Sequence, residues 1–167
     1  QHGHMESVGY DMYLKLLGEA VSEEKGEAPE SADLDCLIDI SVNAHIPESY
    51  VESLTLRLDV YRRIADIRNK EDSLDVKDEL RDRFGEILES VLGLIDIALI
   101  RNCANAMGIY EIRQTETNVL LFVKEIKSPK VIELLSRLNG RAMLSAGNKP
   151  YITIRCGGGS SLEMLKK

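Results

Sequence analysis

The amino-acid sequence predicts an α+β domain in which a small, mainly antiparallel sheet is packed with a cluster of helices. Apolar residues recur at helical spacing through much of the first half of the chain, whereas the second half holds two pairs of short strand-like segments joined by turns. Strands and helices do not alternate as a parallel sheet requires. The predicted order is one helix, one strand, three helices, two strands, one helix, two strands and one helix.

Three regions follow from composition along the chain. We interpret residues 1–7 as a tag or disordered start. We interpret residues 8–33 as a helix and an acidic linker that belong to a preceding module, since apolar residues recur at helical spacing before the sequence EKGEAPESAD. Residues 34–167 form the predicted main domain.

The first predicted strand and the three helices after it have recognisable ends. The strand covers Leu34–Val42, before Pro47, which cannot donate to a ladder. A helix from Ser49 or Tyr50 to Arg68 follows. The next helix covers Asn69–Gly85, where either Asn69 or Ser73 can cap the start and Gly85 can close the end. The helix Glu86–Gly108 is apolar on nearly all sides and should be the most buried.

The second half predicts two hairpins with a helix between them. Strands at Ile109–Thr115 and Asn118–Lys124 form the first hairpin, and Ser128-Pro129 opens the helix that ends at Gly140. The second hairpin and a short terminal helix complete the domain, at 141–146, 151–156 and 160–167. The residues expected in the core of the domain include Ile38, Ile40, Leu92, Ile95 and Leu99.

Charge is distributed unevenly along the 167 residues, whose net charge is −7. Residues 1–35 hold two bases and nine acids, so the rest of the chain is neutral. A neutral body with an acidic arm does not favour nucleic-acid binding.

No stretch of eighteen uncharged apolar residues or signal segment occurs, and the three cysteines form no CxxC pair. We therefore expect a chain of the reducing cytoplasm with no membrane contact, and we take it to be a monomer.

Motifs for catalysis and metal binding are absent from the sequence. It contains no GxxxxGK[ST], GxSxG or HExxH motif and no Cys/His cluster, so we expect no catalytic residue, metal site or cofactor here. The glycines at 157–159 before a helix could cradle a phosphate, although a loose turn is the simpler interpretation.

Acidic residues recur along one face of the helix at 69–85. They lie three or four positions apart, at Asp72, Asp75, Asp78, Glu79 and Asp82. The other side is expected to face the core through Leu74, Leu80 and Phe84. A solvated helix face is the simplest interpretation of the carboxylates, and a docking face for a basic partner is the functional alternative.

Five segments together resemble one protein family. They are GYDMYLKLLGEAV at 9–21, IDISVNAHIP at 38–47, LDVYRRIA at 58–65, DELRDRFG at 78–85 and the Met-Gly-Ile junction at 107–109. Their order and spacing are similar to those of the C-terminal regulatory domain of bacterial transcription-repair coupling factors, the TRCF domain of the Mfd family. The last forty or so residues match that pattern poorly.

The resemblance implies a non-catalytic regulator within a larger ATP-dependent DNA translocase. In this family the domain packs on an N-terminal module that resembles UvrB. It thereby hides the surface of that module that UvrA binds, and it restrains the motor. The resemblance therefore makes UvrA and RNA polymerase indirect partners. ATP and Mg²⁺ are expected in upstream modules. The resemblance makes Glu79 and Asp82, with Asp75 and Asp78, the expected contacts to that module, and assigns structural roles to Arg83, Phe84 and Gly85.

A second function class is a small-molecule-binding α+β module, with the hairpins and Gly157–Gly159 forming the rim of a pocket. A deep apolar pocket with converging polar groups would favour it, whereas a closed core with an exposed acidic face favours the regulatory domain. An enzyme is the least supported class, because no catalytic constellation is present.

Overall fold

A computed structural model of the chain describes residues 36–155 and Leu165. Its elements are β1 (Leu37–Asp39), α1 (Leu54–Ala65), α2 (Lys70–Phe84), α3 (Glu89–Met107), β2 (Ile109–Gln114), β3 (Asn118–Val123), α4 (Pro129–Leu138), β4 (Ala142–Ser145) and β5 (Tyr151–Arg155). The predicted α+β class and the order of these elements are confirmed. The predicted helix and linker at 8–33 and nearly all of the terminal helix lie outside the described residues.

The described chain forms two compact units, divided within α3. We call residues 42–99 the helical unit, and residues 36–41 with 100–155 the sheet unit. The core of the helical unit consists of aliphatic side chains from its three helices and the segments between them: Val60, Ile64, Ile67, Val76, Leu80, Val91, Leu94 and Ile95. Burial of such side chains from water is the main stabilising contribution to a unit of this kind.

Helix α1 begins later than predicted because the chain first makes a turn. The Tyr50 and Val51 amides donate to the Pro47 carbonyl at 3.0 and 3.2 Å, which uses these residues in a turn rather than in the helix. Ser53 is the N-cap, and its Oγ accepts a hydrogen bond from the Leu56 amide. The predicted start at Ser49 or Tyr50 was therefore wrong by four or five residues.

Helix α3 is close to the predicted helix Glu86–Gly108. Of the predicted core residues, Ile40 and Ile95 are buried, whereas Ile38, Leu92 and Leu99 are only half-buried. By length and composition alone α3 could cross a bilayer, but half of its apolar window is buried inside the structure. A helix in the core of a water-soluble protein meets the same criterion, so this is weak evidence for a membrane span.

The sheet unit contains one five-stranded sheet in the order β1-β2-β3-β5-β4. Strand β1 runs parallel to β2, and the other three pairings are antiparallel, including the two predicted hairpins. Strand β1 ends at Asp39, three residues before the predicted end at Val42, and the predicted start at Leu34 lies outside the described residues. Hydrogen bonds to side chains hold the segments on either side of it. The Cys36 amide donates to the Asn105 Oδ1, and the Ser41 amide donates to the Gln114 Oε1.

Helix α4 begins at Pro129, as the Ser128-Pro129 pair predicts. Ser128 makes no side-chain capping bond, although its carbonyl accepts from the Val131 and Ile132 amides. The helix ends where Asn139 and Gly140 adopt positive φ angles of 40° and 80°, which allow the chain to turn into β4.

One close approach in the helical unit depends on a missing side chain. The His45 amide donates to the Ser90 carbonyl at 3.2 Å, so the segment before it runs along the start of α3. A Cβ atom on Gly93 would lie 2.9 Å from the carbonyl oxygen of Asn43, closer than real Cβ contacts allow. Gly93 therefore lets the backbone at Asn43 pack directly on the helix.

We predict that Gly93→Ala destabilises the chain, although alanine is intrinsically better than glycine in a helix by about 1 kcal/mol. The added methyl group meets rigid backbone, and overpacking of this kind costs about 1–3 kcal/mol. Urea unfolding measures the difference. Gly147→Ala is the matched control, since nothing lies within 4 Å of its Cβ position, and it should stay within about 0.5 kcal/mol. Equal stability of both variants would contradict the close approach.

Candidate partner-binding site on the acidic helix

Helix α2 carries the predicted site residues and is defined sharply at both ends. Asn69 is the N-cap, and its Oδ1 accepts a hydrogen bond from the Asp72 amide at 2.8 Å. Asp72 returns a bond through its Oδ2, which accepts from the Arg68 amide at 2.9 Å. Gly85 ends the helix at a φ of 82°, a conformation that favours glycine. Of the two predicted caps, Asn69 and Ser73, the structure has Asn69, and the predicted stop at Gly85 is confirmed.

The inner face of α2 differs from the predicted one. Ser73, Val76 and Leu80 are buried, whereas Leu74, predicted as a core contact, is 52% exposed. The three buried residues follow three- and four-residue steps, and Leu74 lies one position outside that stripe. The prediction for Leu74 was wrong because it gave more weight to hydrophobicity than to position, and Ser73 is buried with its Oγ donating to the Lys70 carbonyl at 2.7 Å.

Glu79 lies between two arginine side chains. Its carboxylate accepts from the Arg63 Nε of α1 at 3.1 Å and from the Arg83 Nη1 of α2 at 2.9 Å. Partial burial of Glu79 opposes ionisation, but the hydrogen bonds and positive charges of the two arginines outweigh it and hold the pKa of Glu79 below its ordinary value. Glu79 therefore links two helices of the helical unit as well as lying on the acidic face.

Arg83 and Phe84 form part of the packing at the end of α2. The Arg83 guanidinium lies 5.0 Å from the centre of the Phe84 ring, in the range of a cation–π contact. The Phe84 ring in turn contacts Tyr50, with 5.8 Å between ring centres. Burial raises the pKa of Tyr50. Arg83 and Phe84, for which structural roles are expected, therefore contact each other, and Phe84 also contacts Tyr50, although Arg83 itself is exposed.

Three of the predicted site residues form an exposed stripe. We call Asp75, Asp78 and Asp82 the acidic stripe; they lie three and four residues apart on one side of α2 and are all exposed. Asp78 pairs with Arg81 at 2.9 Å, and both side chains are more than half exposed. Among the described residues, the carboxylates of Asp75 and Asp82 have no ion-pair partner. The stripe is about 10 Å long at 1.5 Å per residue.

Two alternatives to partner binding concern a metal site and a small-molecule site. Among residues 36–155, no group of three His, Cys, Asp or Glu side chains could hold a metal ion. The Gly157–Gly159 rim of the alternative small-molecule site lies outside the described residues.

Sequence reasoning missed Arg63 as the partner of Glu79. The two are sixteen residues apart and on different helices, so no local pattern could have paired them.

We predict that Glu79→Gln lowers the free energy of unfolding at pH 7 by about 0.5–1 kcal/mol, because two partly exposed ion pairs are lost. The folded-state pKa of Glu79 lies below the unfolded one. Its contribution is therefore fully present above the unfolded pKa of about 4.3 and is lost as pH falls through the folded pKa. Urea unfolding from pH 7 to pH 3 should show the gap between variant and parent closing.

Asp82→Asn provides the matched control for this pH series. Asp82 lies one helical turn away and has no ion-pair partner among the described residues, so its substitution should leave the unfolding free energy within about 0.5 kcal/mol at each pH. If Glu79→Gln is as stable as the parent at pH 7, or if the gap between them does not change with pH, the two arginines do not stabilise the ionised carboxylate.

Comparison with known proteins identifies the family. The TRCF domain model matches residues 40–133. The transcription-repair-coupling factor of Bacillus subtilis strain 168 is 31% identical over 171 aligned positions, which cover 99% of this chain and 14% of that protein. The protein of the same name from Staphylococcus epidermidis strain RP62A is 33% identical over 136 positions, covering 80% of this chain and 11% of its own length. This chain therefore spans only a small part of these relatives.

A solved structure supports the same conclusion at the level of fold. The crystal structure of the C-terminal domain of a transcription-repair coupling factor superposes with a TM-score of 0.68, covering 79% of this chain and 86% of that chain at 18% identity. An identity this low shows the fold alone, and the family rests on the match to the TRCF model over more than half of the chain. The chain belongs to the TRCF domain family, the C-terminal domain of transcription-repair-coupling factors.

Proposed function

We propose that this chain is a non-catalytic regulatory domain of a transcription-repair coupling factor. In the proposed closed state it packs on the N-terminal UvrB-like module of the same protein, so that the module cannot bind UvrA and the motor is restrained. The observation that carries the proposal is the acidic stripe, because exposed carboxylates on a well-capped helix suit a basic partner surface.

The stripe supports an electrostatic contact in two respects. First, Asp75 and Asp82 are not engaged by cations among residues 36–155, so both carboxylates are free to pair with a partner. Second, the helix that carries them is capped at both ends and packed on its inner face, which limits the ordering required on binding. Glu79 has a different place in the proposal: it is only partly exposed, and its bonds to Arg63 and Arg83 position the helix.

A contact of this kind has the strength that a releasable clamp requires. Exposed ion pairs contribute about 0.2–1 kcal/mol each, so two or three of them supply about 0.4–3 kcal/mol. The upper part of that range matches a typical coupling of about 1–3 kcal/mol, or roughly 5–150-fold in affinity. A much stronger contact would leave the protein closed when polymerase arrives. Because exposed pairs are screened over about 8–10 Å at physiological salt, the closed state should weaken as salt rises.

The activities of the whole protein lie outside this chain in the proposal. The sequence contains no GxxxxGK[ST] motif, so ATP and Mg²⁺ are assigned to upstream motor modules rather than to residues of this domain. RNA polymerase and UvrA would affect this domain indirectly, when the contact between the domain and the N-terminal module opens. The proposed location is the bacterial cytoplasm, and the proposed state of this domain is a monomer without direct nucleic-acid or membrane contact.

We predict that Asp75→Lys combined with Asp82→Lys, introduced into the full-length protein, increases UvrA binding by about 5–150-fold, the range of the proposed coupling. Like charges facing each other at an interface cost several kcal/mol, which exceeds that coupling. Both positions are exposed, so the melting temperature of the isolated chain should hardly change. Titration calorimetry with purified UvrA provides the measurement. We choose Asp75 rather than Glu79 because reversal at Glu79 would also break its bonds within the helical unit.

Glu48→Lys with Glu52→Lys is the control, because both residues are exposed and the pair changes the net charge by the same amount at sites outside α2. This control should bind UvrA as the parent does. If the Asp75/Asp82 variant binds UvrA no better than the parent while the domain remains folded, the acidic stripe is a solvated face and the proposed clamp is wrong.

We also predict that the 167-residue chain has no ATPase activity, since it lacks a phosphate-binding loop. A coupled assay with and without duplex DNA measures this, using the full-length protein as the positive control. Turnover that persists through repurification of the chain would show that it contains a nucleotide site of its own.

A further inference from the structure

The sheet has a second face that the proposed function does not use. Side chains of residues paired across neighbouring strands point to the same side of a sheet. Ile112, Leu121 and Ile152 are paired in this way and are all buried, so they mark the inner face. The residues between them define what we call the outer face, and none of its side chains is fully buried.

Two rows of side chains cross the outer face. The strand pairings align Leu37, Glu111, Phe122, Tyr151 and Ser145 in the first row, and Asp39, Arg113, Leu120, Thr153 and Met143 in the second. The irregularity in β2 between Ile109 and Glu111 brings Tyr110 beside the first row. The middle of the outer face is therefore aromatic and aliphatic.

Three aromatic rings are packed together in that middle. The Phe122 ring lies 6.2 Å from Tyr110 and 5.4 Å from Tyr151, tilted by 46° and 44°. The Arg113 guanidinium lies 5.1 Å from the centre of the Phe122 ring. Two large apolar side chains at the edges of the same face are strongly exposed, Leu37 at 57% and Met143 at 60%. Tyrosine, phenylalanine, methionine and arginine are the residues enriched at the centres of protein–protein interfaces.

Cations border this apolar centre. Lys124 and Lys149 are exposed and flank the hydrogen bond from the Val123 amide to the Pro150 carbonyl at one end of β3 and β5. Arg155 and Arg141 occupy the other end, where the Arg155 amide donates to the Arg141 carbonyl. The carboxylates on the outer face are Glu111, already bonded to Arg113, and Asp39, which is paired in register with Arg113. Among its described residues the sheet unit holds nine bases and five acids, a net charge of +4.

The geometry points to a second docking surface on this domain, the outer face, which takes a protein segment with apolar anchors flanked by carboxylates. The anchors would cover Phe122, Leu120 and Met143, and the carboxylates would meet the cations at the strand ends. The inference goes beyond the proposed clamp and does not rest on it, because the acidic stripe requires a partner of the opposite charge. Stacking of nucleic-acid bases is disfavoured, since the three rings are tilted against one another and Arg113 already lies over Phe122.

Selection from a random dodecapeptide display library on the 167-residue chain tests this inference. The expected result is enrichment of peptides that combine Asp or Glu with aromatic or aliphatic residues. The most enriched peptide, resynthesised, is then the probe for calorimetry and for nuclear magnetic resonance of the ¹⁵N-labelled chain. Amide chemical-shift changes should concentrate on β2, β3 and β5. The affinity should decrease as salt is raised from about 50 to about 500 mM, because the Debye length then shortens from about 14 to about 4 Å.

Two substitutions of matched chemistry give the decisive comparison. Met143→Glu places a negative charge on the outer face at a side chain that is 60% exposed. It should lower the affinity of the probe peptide by about tenfold or more. Leu54→Glu makes the same kind of change in the helical unit at a side chain that is 63% exposed, and should leave the affinity unchanged. Both variants should melt within a few degrees of the parent, which confirms that they fold.

Three results would overturn the inference. One is a selection that enriches no peptide or enriches basic ones. Another is a probe peptide that binds Met143→Glu as tightly as it binds the parent. The third is displacement of the probe by oligo(dT), with shifts on the same strands, which would assign the outer face to single-stranded nucleic acid instead.

Discussion

The bonds between Glu79 and the arginines on either side of it constrain how the acidic helix is presented. Arg63 belongs to α1 and Arg83 to α2, so the Glu79 carboxylate links the acidic helix to its neighbour. On the same helix, Val76 and Leu80 are buried in the core of the helical unit. The three aspartates of the acidic stripe are exposed on the opposite side of the helix. Burial of Val76 and Leu80 decides which face of α2 is hidden, and the bond from Arg63 to Glu79 holds α2 to α1 in that orientation.

The distribution of charge between the two units gives the domain two different surfaces. Residues 36–155 have a net charge near zero, and from the sequence alone this neutral balance indicates only that nucleic-acid binding is disfavoured. The helical unit holds eight bases and thirteen acids, a net charge of −5, whereas the described part of the sheet unit has +4. A neutral total therefore results from two units of opposite sign, each of which can attract its own partner.

The local features of the fold were predictable because they depend on residues close in the chain. The cap at Asn69, the stop at Gly85 and the proline start of α4 each follow from the chemistry of one residue and its neighbours. The pairing of strands within each hairpin followed from the short turns between them. Family membership was also accessible, because five motifs in the right order carry more information than any of them alone.

Features that depend on distant residues could not be predicted. Leu74 is as apolar as Leu80, and only the position of α1 and the rest of the core decides which of them is buried. The parallel pairing of β1 with β2 joins segments about seventy residues apart. The close approach at Gly93 and the partner of Glu79 likewise require the tertiary structure. For the candidate site, the sequence supplied the acidic residues but not which of them are already engaged.

Carboxyl labelling with a carbodiimide and an amine, read by mass spectrometry, tests the central claim most directly. The claim is that the acidic stripe is exposed in the free domain and covered in the closed full-length protein. Our account predicts that Asp75, Asp78 and Asp82 react readily in the 167-residue chain, are protected in the full-length protein and become reactive again when UvrA is bound, while Glu48 and Asp66 react equally in all three. Equal labelling of the stripe in the isolated chain and in the full-length protein would contradict the account.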